Sequence, residues 1–255
     1  DNSGSMMPFQ NLLGLNMGDF MTMFLSYSPD FQMAFITTDS PIFVSTPIDA
    51  RTHLPIDEAI ATIDSIGVGG SGWEKGLQML EDCMLSSECT NWMRPGAKLI
   101  AIFLSDEPDH SNRTPISFIN SFDAIKPGAF VPFAIIGDPP QGCPAQTGWN
   151  TQAGWGYYDV VQHYASQWFS ICDEDWGAQL ESLAQTISVK TVFELNSVDP
   201  HVDTVRVWIN GQLIESGWAY DESINSVVFE FEEAPEPGDT IEIGYSSWGC
   251  SENSQ

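Results

Sequence analysis

Leu99-Ile100-Ala101-Ile102-Phe103-Leu104-Ser105-Asp106 is the stretch that decides the fold. Its six successive apolar residues suit a strand buried on both faces, the mark of a parallel sheet. The run ends on a hydroxyl and a carboxylate, so polar groups arrive at the carboxyl end of that strand. Residues 131–136 repeat the pattern and stop at Gly137-Asp138-Pro139-Pro140. Around these strands the spacing is helical. Helices are expected over 8–26 (Phe9, Leu12, Leu13, Phe20, Met23, Phe24), 55–66 (Ile56, Ile60, Ile63) and 73–85 (Leu77, Leu80, Met84). Others follow over 115–124, 157–166 and 176–188, with strands over 31–38, 41–45 and, at an edge, 168–171. Strands alternating with helices of this length predict an α/β fold, a doubly wound, mostly parallel sheet flanked by helices. In such sheets ligands bind beyond the carboxyl ends of the strands.

From residue 191 the pattern changes to period two. Segments 191–195, 204–209, 212–214, 226–231 and 240–245 alternate apolar with polar, and Asn210-Gly211 is a hairpin turn signal. The chain is therefore expected to divide into an α/β domain over 1–189, a small antiparallel β-sandwich over 190–249 and a tail over 250–255.

Two further segments carry chemistry. Asp1-Asn2-Ser3-Gly4-Ser5 spells D-x-S-x-S, and Gly69-Gly70-Ser71-Gly72-Trp73 puts a hydroxyl on a glycine-rich loop before a helix. Hydroxyls and carboxylates, without sulfur or imidazole, suit Mg²⁺, Mn²⁺ or Ca²⁺. The candidate metal ligands are Asp1, Ser3, Ser5, Ser71 and Asp106, with Mg²⁺ the favoured divalent cation. Asp109, three residues further on, is expected to be solvated.

The three pieces, in this order and at strand ends, resemble the von Willebrand factor type A (vWA) domain and its metal-ion-dependent adhesion site (MIDAS). The resemblance covers roughly residues 1–190. Ser71 takes the place where that family most often has threonine. Arg94-Pro95-Gly96-Ala97-Lys98-Leu99, Leu104-Ser105-Asp106-Glu107-Pro108-Asp109-His110-Ser111 and Trp168-Phe169-Ser170-Ile171-Cys172 look like secreted bacterial members carrying a β-sandwich after the α/β domain. The resemblance implies a metal that stays electrophilic and takes its last ligand from an acidic side chain of a protein partner. It also implies an extracellular, cell-surface or periplasmic protein, lipid-anchored in some members. In the family the D-x-S-x-S motif follows directly on a central hydrophobic strand. None precedes Asp1 here, so an upstream segment or another chain is expected to supply it.

Composition narrows the function. The 255 residues carry 35 Asp plus Glu against 8 Lys plus Arg, net −27, a field that repels nucleic acid and anionic membrane. No run of 18 apolar residues occurs, so direct membrane insertion of this segment is not expected. Of five cysteines, Cys83 with Cys89 and Cys143 with Cys172 are the expected pairs, leaving Cys250 over or in competition for a partner. Their loop placement favours an oxidising compartment. G-x-S-x-G, H-E-x-x-H and C-x-x-C are absent, and His53, His110, His163 and His201 show no ligand spacing, so an enzyme is not expected. The reading is a metal-dependent adhesion or protein-binding module. The alternative is a structural subunit of a surface assembly with a degenerate metal site, and a hydrolase is the least favoured.

Overall fold

Apolar residues set the centre of the first unit. This computed structural model describes residues 1–27, 31–95, 97–144, 151–188, 192–196, 200–229, 233–235 and 239–247. Contacts divide the chain into Asp1–Leu25 with Pro29–Ser182, and Ser26–Ser28 with Leu183–Gln255.

In the first unit a 3₁₀ turn, Gly4–Met6, runs into helix α1 (Met7–Tyr27), which buries Phe9, Met17, Phe20, Met21 and Phe24 at helical spacing. Strands β1 (Gln32–Met33) and β2 (Ile48–Asp49) pair antiparallel. Helix α2 (Pro55–Ile66) opens on a proline, whose missing N–H costs nothing at that position, and carries Asp57 and Glu58 against the positive end of its dipole. Helices α3 (Gly76–Leu85) and α4 (Ser87–Trp92) follow, the second capped by the Ser86 hydroxyl, which accepts from Cys89 N at 3.2 Å. Then come β3 (Leu99–Ser105), α5 (Pro115–Ile125), β4 (Phe130–Ile136), α6 (Tyr157–His163), β5 (Trp168–Ser170) and α7 (Trp176–Ser188).

The two apolar runs form the sheet as expected. β3, β4 and β5 pair in that order, all parallel, with Leu99 opposite Phe130, Ser105 opposite Ile136 and Ala134 opposite Trp168. Leu99, Ala101 and Phe103 face one core with Phe118, Phe122, Tyr157 and Val160. Gly76 permits the close crossing of α3 and α6: a Cβ there would lie 2.7 Å from Tyr157 Oη, which accepts the Gly76 N–H at 3.1 Å.

Three expectations differ. Residues 31–38 make only the two-residue β1, and their partner is β2 rather than 41–45, which are bends. A strand needs a neighbour within hydrogen-bonding reach. Residues 34–38 instead line a cavity whose other wall is β3. The helix expected from 73 begins at Gly76, because Ser71 to Lys75 is loop, and α4 was not foreseen. Cys83–Cys89 and Cys143–Cys172 are disulfide-bonded, with Cα atoms 5.5 and 6.2 Å apart. Cys250 and the tail 250–255 lie outside the described residues.

The second unit holds two antiparallel three-stranded sheets. One is ordered β6 (Val192–Glu194), β10 (Ser226–Phe229), β9 (Trp218–Asp221); the other β11 (Ile241–Gly244), β7 (Arg206–Ile209), β8 (Gln212–Ile214). Their inner residues, Leu195, Val205, Val207, Val227 and Phe229 among them, form one apolar cluster. Asn210 and Gly211 join β7 to β8 with φ of 52° and 77°, the left-handed pair the dipeptide signalled. β9 was not foreseen: its short run Trp-Ala-Tyr-Asp alternates only once.

Candidate metal centre

The chain start and the end of β3 meet. Ser3 N–H donates to Asp1 Oδ1 at 2.7 Å, folding the first residues into a loop that enters the 3₁₀ turn. The other Asp1 oxygen accepts from the Ser105 hydroxyl at 2.7 Å, and Asp1 N donates to Leu104 O at 2.9 Å. Asp1 thereby ties the loop to the carboxyl end of β3. Ser3 Oγ lies 3.1 Å from Ser5 Oγ, and Ser5 Oγ donates to Asp106 Oδ1 at 3.1 Å. Ser3 and Asp106 are almost fully buried.

These distances test the donor set. An ion with octahedral oxygens at about 2.1 Å places neighbouring oxygens about 3.0 Å apart. Ser3 Oγ to Ser5 Oγ and Ser5 Oγ to Asp106 Oδ1 both stand near that spacing, so Ser5 fits beside each of the other two in such a shell. Both Asp1 oxygens are engaged within the protein, so Asp1 fits a role through a bridging water and by holding the loop. Burial raises the Asp106 carboxyl above the ordinary range. The Ser5 hydrogen bond pulls against this, and Glu107 adds to it. A cation there relieves the cost of a desolvated carboxylate.

Ser71 is placed differently. Its N–H donates to Asp39 Oδ2 at 2.7 Å, and its hydroxyl accepts from Trp73 N at 3.0 Å instead of joining the Ser3–Ser5–Asp106 group. Its loop nonetheless lies against the motif, since Gly70 N donates to Asn2 O at 2.7 Å. Space beside it is small: a Cβ on Gly70 would stand 2.5 Å from Asn2 Oδ1 and 2.6 Å from Asp39 Oδ2, so those side chains, the second of which holds Ser71 N, would have to give way. Gly70→Ala is therefore expected to push the Ser71 loop off the motif and weaken cation affinity about tenfold, on the scale of losing a supporting partner. Cation titration against the parent chain checks this.

Asp109 is half-buried and held by hydrogen bonds rather than freely solvated. Its Oδ1 accepts from Leu77 N at 3.1 Å and from the Ser111 hydroxyl at 2.9 Å, while Oδ2 takes Ser111 N at 3.1 Å. It caps α3, and those donors offset the burial that raises its carboxyl.

Sequence reasoning missed Asp39, Thr38 and Glu74. Asp39 follows an apolar run as Asp106 does, a signal that was available. Glu74 is fully buried, accepts from Thr38 Oγ at 2.6 Å on Oε2, and leaves Oε1 without a hydrogen-bond partner among the described residues. Burial is the largest cause raising its carboxyl above the usual 4.5, and the Thr38 hydrogen bond opposes it. The sign follows: an acid whose folded pKa is raised contributes stability below its unfolded pKa and loses it as pH rises through the folded one. Glu74→Gln is thus expected to raise the melting temperature at pH 7 and leave it nearly unchanged at pH 4. Melts across that range decide it.

No family model matches the sequence, and no curated protein is matched by it. A solved structure is similar: von Willebrand factor type A from Catenulispora acidiphila, with a TM-score of 0.50 and 12% identity. The likeness covers 98% of this chain and 57% of that one, so this chain spans little more than half the length of its structural neighbour. At that identity the likeness concerns the fold alone. The class is therefore a mixed α/β protein with a parallel sheet flanked by helices. Its fold is vWA-like.

Proposed function

We propose that this chain is a metal-ion-dependent protein-binding module. Ser3, Ser5 and Asp106 would hold a divalent cation, Mg²⁺ before Mn²⁺ or Ca²⁺, with Asp1 acting through water and Ser71 contributing once its hydroxyl leaves Trp73 N. The cation would supply an electrophilic seat for a carboxylate from a protein partner. Two hydroxyls and a buried carboxylate oxygen at octahedral spacing carry this reading. Few charged ligands leave such an ion with net positive charge to spend on a partner's acidic side chain.

Two disulfides in loops and helix ends support an exported or cell-surface location. We also read the second unit as a β-sandwich, because its two antiparallel sheets share one apolar cluster. The role is binding, not catalysis.

A second reading has its own observation. The three oxygens satisfy one another and the Ser71 hydroxyl caps Trp73 N, as they would in a degenerate site of a structural subunit. Mg²⁺ and Mn²⁺ titration separates the two. A binding site gives saturable heat and a melting temperature that rises with metal, worth about 2.7 kcal/mol at 100 times Kd. A degenerate site gives neither.

A further inference from the structure

Trp73 stands out of the loop that carries Ser71, and its ring is 66% exposed. Its backbone N–H donates to the Ser71 hydroxyl at 3.0 Å, which fixes the ring two residues from a proposed metal ligand. The ring meets that of His110 edge to face, with centroids 4.8 Å apart. His110 Nε2 lies 3.9 Å from Glu107 Oε2, and His110 N donates to Glu74 O. Glu107 directly follows Asp106. An exposed indole is therefore built into the rim of the candidate centre, held from both the Ser71 loop and the segment after β3.

The charge around that indole is one-sided. Asp39 is exposed and accepts Ser71 N on Oδ2, and Glu107 lies close enough to Asp106 to help raise its carboxyl. Lys75 is the one Lys or Arg in segments 1–5, 37–40, 69–76 and 105–111. With the chain at net −27, a bare carboxylate nearing this rim is repelled, even on its way to a bound cation. A basic group beside that acid cancels the repulsion and steers the approach. A wholly apolar ligand would also cover Trp73, but it would desolvate Asp39 and Glu107 without pairing them.

We propose that Trp73 is a second subsite of the candidate centre, taking an arginine side chain adjacent to the acidic residue of the protein partner. The planar guanidinium stacks on the exposed indole and turns its N–H groups toward Glu107 and Asp39. The partner's binding segment therefore carries neighbouring opposite charges instead of an acid alone. The inference rests on the cation reading, which places the acid. Ser71 couples the two subsites: its hydroxyl reaches the cation only by releasing Trp73 N, so loading the ion and setting the indole are one event.

The test uses the full chain, with Mg²⁺ or with chelator, and three short synthetic peptides with blocked ends. The first carries arginine next to glutamate among glycines and alanines. The second has neutral citrulline in place of the arginine, and the third sets arginine and glutamate at opposite ends. Calorimetry and the Trp73 indole resonance measure affinity. In Mg²⁺ the first peptide is expected to bind about fivefold tighter or more than the other two, the scale of an exposed cation–π contact. Trp73→Ala should bring it down to the citrulline level, and Trp73→Phe should keep part of the preference. Equal affinity of the three peptides, or no peptide binding to a chain that takes up Mg²⁺ with saturable heat, overturns the subsite and leaves the metal site standing. A preference that Trp73→Ala leaves intact overturns it too, assigning the effect to the general field. So does binding of the first peptide that chelator leaves unchanged. Absence of any Mg²⁺ heat overturns both readings.

Discussion

Asp106→Ala is expected to weaken Mg²⁺ and Mn²⁺ binding by more than about 100-fold, beyond the 10–100-fold typical of losing an outer partner. Three features set this magnitude. Asp106 Oδ1 is the carboxylate oxygen that accepts from a hydroxyl of the Ser3–Ser5 pair among the described residues. The side chain is buried, so water cannot replace it cheaply. The remaining hydroxyls are neutral. Asp106→Asn gives the sharper comparison: the amide oxygen can still accept from Ser5, so packing survives while the charge goes. In chelator, Asp106→Asn should melt at or above the parent temperature, because burial disfavours the parent carboxylate. With Mg²⁺ the order should reverse. Asp1→Asn should cost less, about 10–100-fold, since Asp1 acts by holding the loop and the end of β3 together. Calorimetric titration and paired melts measure all three. If Asp106→Asn binds metal like the parent, the centre lies elsewhere.

Removing the Cys143–Cys172 bridge is expected to cost about 3–4 kcal/mol, from the entropy of a closed loop spanning 29 residues. Removing Cys83–Cys89, six residues apart, should cost about 2 kcal/mol. The longer bridge has a functional consequence as well. It ties the end of β5 to the segment around Thr151, and Gln152 N donates to Asp106 O at 2.8 Å. Double Cys→Ser replacement at 143 and 172 should therefore lower cation affinity in addition to stability, whereas replacement at 83 and 89 should lower stability alone. Denaturant unfolding with and without Mg²⁺ separates the two effects.

Much of this was legible before any coordinates. The runs 99–104 and 131–136 are apolar enough that only burial on both faces accommodates them, and both became paired parallel strands. Asn210-Gly211 announced its hairpin because those residues tolerate positive φ. Asp1, Ser3, Ser5 and Asp106 could be grouped because a recurring order of short motifs marks strand ends. Residues 34–38 were not legible in the same way. Their apolar pattern allows a strand, but strand formation depends on a neighbour, and the cavity beside β3 takes its place.

The sequence alone determined which segments are apolar at period two or 3.6, where turns must fall, and which oxygen-bearing side chains are available to a hard cation. These follow from local chemistry. Only the tertiary structure decided that Ser3, Ser5 and Asp106 stand 3.1 Å apart in succession while the Ser71 hydroxyl turns to Trp73. It alone made Asp109 a helix cap and buried Glu74. Burial and hydrogen-bond pairing are set by segments distant in sequence, so no local pattern encodes them.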